Sequence, residues 1–383
     1  MHHLPRRKPV NASRLTTALI HLDRLTRNVR LLQDQVGSRL LWPVIKGDAY
    51  GHGAPIVARH LRGLGYDTFG VADVEEAAAL IEAGIDATFI ILSATLPEHS
   101  EALVVYGCEP VVCTLEMVEA LARQAARMDG RVSVHIKIDT GMGRIGIRPD
   151  ELPHFLARCR TFPALRVRGL MSHLPRADEA DKTFSESQIH CFRRVVEATA
   201  GEGIEVRHLA NSAAVFDLPA AYFDAVRPGI ALYGLRPSAA IAHPRVQALE
   251  PVLEWKTRIV FLKEVPAGVG LSYGHLFRTQ RPSLIATLPV GYADGLRRAL
   301  SNRIDFLVRG VRCPQVGRIT MDMSLVDVTA LRGQVALGDE AVIIGRQGDE
   351  EVTADELADK LGTINYEVVT AITHRVPRIA VGE

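Results

Sequence analysis

The sequence predicts an α/β fold: a TIM-type (β/α)8 barrel followed by a C-terminal, mainly β domain. Three observations predict it. From about residue 18, short apolar runs rich in β-branched residues alternate with amphipathic helical stretches, which is how a parallel sheet with crossover helices reads. The chemically useful residues Lys46, Asp139, His173, Ser212 and Arg227 stand at or just past the ends of those runs, the end of barrel strands where chemistry gathers. After about residue 237 the long helical patterns stop, and β-branched segments joined by Gly and Pro turns take over. A doubly wound open sheet would give a similar alternation and stays the alternative.

The first helix is the clearest element. In "HLDRLTRNVRLLQDQV" Leu22, Leu25, Val29, Leu32 and Val36 step by three and four, and Asp23 near the start favours the helix dipole. Eight strand candidates follow: "LLWPVIK", "TFGVAD", "TFIILSA", "PVVCT", "VSVHIKID", "VRGLMSH", "EVRHLANS" and "AVRPGIALYG". Helical stretches such as "VEEAAALIEAGI" and "TLEMVEALARQAARM" lie between them. The β domain is read from "KTRIVFLKEV", "SLIATLPVG", "DFLVRGVRCPQVG", "SLVDVT" and "AVIIG", and Thr353 stands as a helix cap before "ADELADKLG". The expected division is a barrel over residues 18–236 and a β domain built from residues 1–17 and 237–383.

Bulk composition narrows the partners. The 383 residues carry a formal net charge of +1, so there is no basic field for nucleic acid. The apolar runs are short and broken by charges, which excludes a membrane span by helix. No apolar segment follows the arginines of "MHHLPRRKPV", and five cysteines lack CxxC or other metal spacing. A cytoplasmic protein with reduced thiols and a small-molecule substrate is expected.

Two motifs are set aside. Gly141, Gly143 and Gly146 in "DTGMGRIG" match a dinucleotide fingerprint, yet the next strand ends in a histidine rather than the acidic residue that would hold a ribose. The glycines instead let the backbone turn tightly and expose Arg144. His135, His173 and His208 fall on barrel strands, but form no HxH or HExxH pair, and no metal is expected.

Lys46, in "VIKGDAYGHG", is either a solvated lysine leaving a strand or a desolvated amine able to form a Schiff base with a carbonyl. Tyr50 and the surrounding glycines favour the second reading. A loop offering backbone N–H groups and a phenol four residues from a lysine could hold the anionic group of an aldehyde cofactor, which points to pyridoxal 5'-phosphate.

At this point the chain resembles the alanine racemase family. Nine stretches carry the resemblance in order along nearly the whole length: "VIKGDAYGHG", "HIKIDTGMGRIG", "MSHLPRADE", "LANSAA", "VRPGIALYG", "LSYGHLF", "TLPVGYADG", "VGRITMDMSLVDVT" and "TINYEVVT". The resemblance implies a pyridoxal-phosphate enzyme interconverting L- and D-alanine through an aldimine, with Lys46 and Tyr273 as the two catalytic groups on opposite faces of the substrate carbon. It implies phosphate contacts from Tyr50, Ser212, Gly229, Ile230 and Tyr366. It sets Arg227 against the pyridine nitrogen, Arg144 on the cofactor's phenolic oxygen and the substrate carboxylate, and the Met321 backbone on that carboxylate. His173, with Arg144 beyond it, joins the network around Tyr273, and Lys137 matches a lysine the family often carries carbamylated. It also implies a homodimer with shared sites and a role in supplying D-alanine for cell-wall precursors. The alternatives are a racemase of broader specificity, such as for serine, a decarboxylase, or a non-enzymatic cofactor carrier. Three departures from the family pattern stand out: Gly47-Asp48 for Ala-Asn, Pro175-Arg176 after His173, and Thr320 where a cysteine is frequent.

Overall fold

The computed structural model describes residues 14–382. Residues 1–13 and 383 lie outside that range, and with them most of the segment 1–17 expected in the β domain. The chain divides into two compact units, one of His21–Val252 with residue 382, the other of residues 14–20 with Leu253–Val381. Among the described residues no helix is long and apolar enough to cross a membrane.

The first unit is an eight-stranded parallel barrel. Its strands, in spatial order, are Leu40–Leu41, Ala225–Val226, Val206–His208, Leu165–Met171, Val132–Lys137, Glu109–Val112, Thr88–Ile91 and Thr68–Val71. A parallel bridge between Val44 and Gly70 joins the two ends of that path, backed by Ile45 N–H to the Gly70 carbonyl at 2.8 Å and Gly70 N–H to the Pro43 carbonyl at 2.9 Å. All eight apolar runs supply a strand. Two are much shorter than their sequence suggests, because the chain turns as soon as it leaves the barrel: "LLWPVIK" pairs at Leu40–Leu41 and again at the Val44 bridge, and "AVRPGIALYG" keeps only Ala225–Val226 before Ile230–Tyr233 winds into a 3-10 turn.

The first helix spans Leu22–Val36, and all five residues of its apolar stripe are buried. A sixth buried residue on that helix is polar. Asn28 donates to the carbonyls of Leu232 (3.1 Å) and Glu250 (2.8 Å) and accepts from Glu250 N–H (2.9 Å), so it ties the helix to the chain after the last strand. Gly234 closes the same corner. At φ 76° it lies in the left-handed region, and a Cβ there would stand 1.7 Å from the Glu250 carbonyl oxygen.

The second unit is built on a seven-stranded sheet in which Thr17–His21 lies between Leu253–Arg258 and Arg378–Val381. Glu340–Gln347, Asp305–Val308 and Val311–Pro314 extend it on the other side of Leu253–Arg258, and Glu350–Val352 pairs with Glu340–Gln347. A three-stranded sheet of Phe261–Val265, Ser283–Leu288 and Ser324–Asp327 accompanies it. The run "KTRIVFLKEV" reads as one strand but is divided between the two sheets. Thr353 caps the helix Ala354–Leu361 through Glu356 N–H at 3.0 Å, and the tail "TINYEVVTAITHRVPRIA" holds both a helix, Asn365–Thr370, and the strand Arg378–Val381.

Replacing Asn28 with Ala strands two buried carbonyls and one N–H at once. Asn28→Ala should therefore lower unfolding stability by about 2–3 kcal/mol, read as a fall in urea midpoint with the slope unchanged.

Candidate active site

In the barrel unit the chain leaves the first strand through an unusual turn. Residues 47–50 all have φ between 52° and 62° and ψ between 39° and 49°, a run of left-handed helix that costs L-residues about 1–2 kcal/mol each. Gly47 takes the first of these positions without a Cβ penalty. Asp48 holds the turn from inside: its carbonyl accepts Gly53 N–H at 2.9 Å and its Oδ1 accepts Ala54 N–H at 2.7 Å. Glu76 holds it from outside, accepting Gly47 N–H at 2.7 Å and Ala72 N–H at 2.8 Å. The departure at Gly47-Asp48 is thus compatible with the turn it must form.

Lys46 stands immediately before that turn. Burial lowers its pKa, with repulsion from Arg144 and Arg227 adding to the effect and Glu76 opposing it. Lys137, buried at the end of its strand, is brought down to about 7 by burial and by Arg227 and Arg144. Burial also lowers Arg227 to about 9. His173 feels all four cations, Arg227, Lys137, Arg144 and Lys46, and burial together with that repulsion puts its pKa well below 6.5. These groups therefore lie close enough to act on His173.

Arg144 is carried on the glycine loop. Asp139 Oδ1 accepts the N–H groups of Gly141 and Met142, both at 2.9 Å, and its carboxylate also takes Gly143 N–H at 3.0 Å through Oδ2. Burial alone would raise the Asp139 pKa, but those N–H groups bring it below its usual value. At Gly146, φ 125°, a Cβ would stand 2.8 Å from Asp139 N, so the returning strand presses directly against the anchor. The glycines serve the turn, as expected.

Ser212 Oγ accepts Gly229 N–H at 2.8 Å and Ala231 N–H at 3.3 Å. A Cβ at Gly229 would come within 2.4 Å of the Tyr50 hydroxyl, so only glycine allows that phenol to approach. Ile230 begins the 3-10 turn beside them. Desolvation, with Glu76 nearby, raises the Tyr50 pKa to about 12 and keeps the phenol a neutral donor. Two further residues complete this corner without having been singled out in the sequence. Tyr233 donates to the Val44 carbonyl at 3.0 Å and lies 5.2 Å from the Tyr50 ring, and His52 stacks on Tyr233 at 4.4 Å.

In the β unit Tyr273 is 72% exposed and opens a short 3-10 turn with Gly274 and His275 at positive φ. Ser272 O–H donates to the Arg318 carbonyl at 2.7 Å, which joins this turn to the segment bearing Met321, itself 53% exposed. The Met321 carbonyl accepts Ala293 N–H at 3.0 Å, and Gly291 is packed so tightly that a Cβ would meet the Thr320 and Met321 carbonyls within 2.4 Å. Thr320 Oγ1 donates to the Met323 carbonyl at 2.9 Å and accepts Met323 N–H at 3.1 Å, so the departure from cysteine strengthens that turn. Tyr366 lies on the helix Asn365–Thr370.

Two family models cover these units: "Alanine racemase, N-terminal domain" matches residues 20–237 and "Alanine racemase, C-terminal domain" matches residues 252–380. The chain belongs to the alanine racemase family.

It is 44% identical over 369 residues to the alanine racemase of Halothermothrix orenii, covering 96% of this chain and 97% of that one. Identity to the Carboxydothermus hydrogenoformans alanine racemase is also 44%, over 95% of this chain and 99% of the relative. Among solved structures, the alanine racemase of Clostridium difficile 630 superposes with a TM-score of 0.92 at 33% identity, covering 97% of this chain and 98% of that chain. The Bacillus anthracis alanine racemase with bound L-Ala-P gives 0.91 at 36% identity, covering 98% and 97%. Alanine racemases are a pyridoxal-phosphate-dependent isomerase family.

The residues present fit that cofactor. A desolvated amine at Lys46 suits an aldehyde; the corner formed by Ser212, Gly229 and Tyr50 suits a phosphate; and four basic groups acting on His173, two of them buried, suit anionic ligands. At the departure Pro175-Arg176, Arg176 pairs with Glu179 and lies 5.9 Å from the ring of Phe184, which packs beside Gly141 of the loop carrying Arg144. Among the described residues no group of three or more His, Cys, Asp or Glu side chains could hold a metal ion.

His135 and His208 are buried and His173 is half-buried, and desolvation is the chief cause that lowers the pKa of each. Below about pH 6.5 the unfolded chain takes up protons at these imidazoles that the folded chain refuses, so acid favours unfolding. Urea midpoints should fall between about pH 7.5 and about pH 5.5, and His173→Asn should reduce that difference.

Proposed function

We propose that this chain racemises alanine by a two-base reaction in which Lys46 Nζ and the Tyr273 phenol serve opposite faces of the substrate Cα. The reading is carried by one observation: the gathering of Lys46, Lys137, Arg144 and Arg227 around His173, with Lys137 and Arg227 buried, beside the Ser212, Gly229 and Tyr50 corner.

Bound pyridoxal phosphate supplies an electron sink that acidifies the Cα–H of an amino acid joined to it. The chain's residues do the rest. Lys46, whose charged form is disfavoured by burial and by two arginines, takes the proton from the D substrate and returns one when the L substrate reacts. Tyr273 does the reverse. Arg144 and the Met321 backbone bind the substrate carboxylate, while Tyr50, Ser212, Gly229, Ile230 and Tyr366 hold the phosphate. Arg227 would stand against the pyridine nitrogen; a guanidinium only donates, so that nitrogen would accept, which would limit electron withdrawal and favour proton exchange over side reactions. Lys137, near neutrality at about 7, can take up carbon dioxide as a carbamate and steer Arg144.

The active form is a homodimer in which the partner subunit's β domain supplies the second base. Support comes from the exposure of Tyr273, Leu276, Met321 and Met323 on neighbouring segments, apolar area that a monomer would leave in water. The product is D-alanine for cell-wall precursors in the cytoplasm.

Incubation with L-alanine in D2O should yield α-deuterated alanine of both hands, read by chiral chromatography and mass spectrometry; release of carbon dioxide instead would identify a decarboxylase. Borohydride should fix the cofactor on Lys46. Tyr273→Phe should leave that labelling intact and lower kcat by on the order of a hundredfold or more, whereas undiminished turnover would remove Tyr273 from the reaction.

A further inference from the structure

One line of buried polar groups crosses the barrel interior and has no part in binding substrate. Arg227 Nη1 meets His208 Nδ1 at 2.8 Å, His208 Nε2 meets His135 Nδ1 at 2.9 Å, and His135 Nε2 meets Glu109 Oε2 at 3.1 Å. Arg168 pairs with the same carboxylate oxygen. Both imidazoles are wholly buried, whereas the Glu109 side chain, at the first position of its strand, reaches some solvent.

The packing holds this line in place. Trp42 meets both imidazoles edge-on, with ring centroids 6.0 Å from His135 and 5.0 Å from His208. Opposite His135 in the next strand is Gly169, where a Cβ would stand 2.2 Å from His135 Nδ1. The register slips between Val134 and His135, an irregularity of the kind that re-aims a side chain.

Chemistry then allows one arrangement of hydrogens. A guanidinium has no acceptor, so Arg227 donates and His208 Nδ1 is bare. A neutral imidazole with Nδ1 bare carries its hydrogen on Nε2, which donates to His135 Nδ1. By the same step His135 carries Nε2–H and donates to the Glu109 carboxylate. Every bond points the same way, from the cation to the anion, and bonds aligned in series polarise one another.

We propose that Glu109, His135 and His208 are positioning residues: a chain of two Nε2–H imidazoles through which the Glu109 carboxylate fixes the orientation and donor state of Arg227. This rests on the assignment of Arg227 to the pyridine nitrogen. It adds the means by which a buried guanidinium with no carboxylate of its own is held: its Nη2 is bound to the Ser172 carbonyl (2.8 Å) and the Leu209 carbonyl (3.2 Å), and its Nη1 to the imidazole chain. The carboxylate that answers its charge sits two rings away.

The test is 15N NMR of the histidine-labelled holoenzyme, with the cofactor absorption spectrum recorded alongside. In the parent protein His135 and His208 should both appear as Nε2–H tautomers with N–H hydrogens protected from exchange; an Nδ1–H tautomer at either overturns the proposal. Glu109→Leu should shift the His135 and His208 signals together, move the cofactor band and lower kcat by on the order of tenfold with little change in KM. Glu109→Gln, which keeps an acceptor oxygen, should restore the tautomers. A shift confined to His135, with His208 and the cofactor band unchanged, overturns the transmission. Should Glu109→Leu fail to fold, Gly169→Ala displaces His135 from the opposite side and must disturb the same His208 signal. Displaced imidazole signals with an unmoved cofactor band would count against Arg227 facing the pyridine. A negative chiral assay would instead reject the racemase reading while leaving the tautomers in place.

Discussion

Repulsion among closely placed basic groups, Lys137 and Arg227 of them buried, is the constraint on which the site in the barrel unit depends. Lys46, Lys137, Arg144 and Arg227 all act on His173, and inside a protein such charges interact far more strongly than in water. The chain reduces the cost in three ways. Two amines have lowered pKa values, Lys137 to about 7. Asp139 and Glu76 stand nearby, each committed to backbone N–H groups. Arg227, whose guanidinium keeps its proton most readily, is solvated by carbonyls and an imidazole. A dianionic phosphate and a carboxylate bound in this region would offset the remaining repulsion.

The local fold serves the same end. A left-handed turn is an expensive way to leave a strand, yet it sends the chain back toward the barrel within four residues and carries Tyr50 up against Gly229. An ordinary helix beginning at Lys46 would have carried the phenol elsewhere. The hydrogen bonds of Asp48 and Glu76 offset that local strain, which is the usual condition for its persistence at a functional site.

Much of this was legible in the sequence, because burial leaves a period. The stripe of Leu22, Leu25, Val29, Leu32 and Val36 announced its helix, and eight apolar runs announced eight strands. What escaped has no period. Asn28 reads as one more polar residue on a helix, although its bonds to Leu232 and Glu250 lie more than 200 positions away. Glu76 carries a local signal, an Asp73-x-x-Glu76 capping pattern, and Asp73 does accept Glu76 N–H; but the Glu76 carboxylate reaches Gly47 and Ala72, which no spacing rule encodes. The histidines 135 and 208 could be weighed only as metal ligands or packing residues, since their link to Arg227 exists only once four neighbouring strands, Val132–Lys137 to Ala225–Val226, lie side by side.

The strand Thr17–His21 has a consequence for synthesis. Its two neighbours, Leu253–Arg258 and Arg378–Val381, are encoded more than 230 and 350 residues later, while the barrel between them is contiguous. At about 5–20 residues per second, the ribosome delivers the first of those neighbours only after roughly ten to fifty seconds. For that interval the nascent chain carries a hydrogen-bonding edge with nothing to pair it, and the barrel can complete its own closure first. Translation speed and chaperone contact with the emerging N-terminus thus bear on the yield of the β unit far more than on that of the barrel.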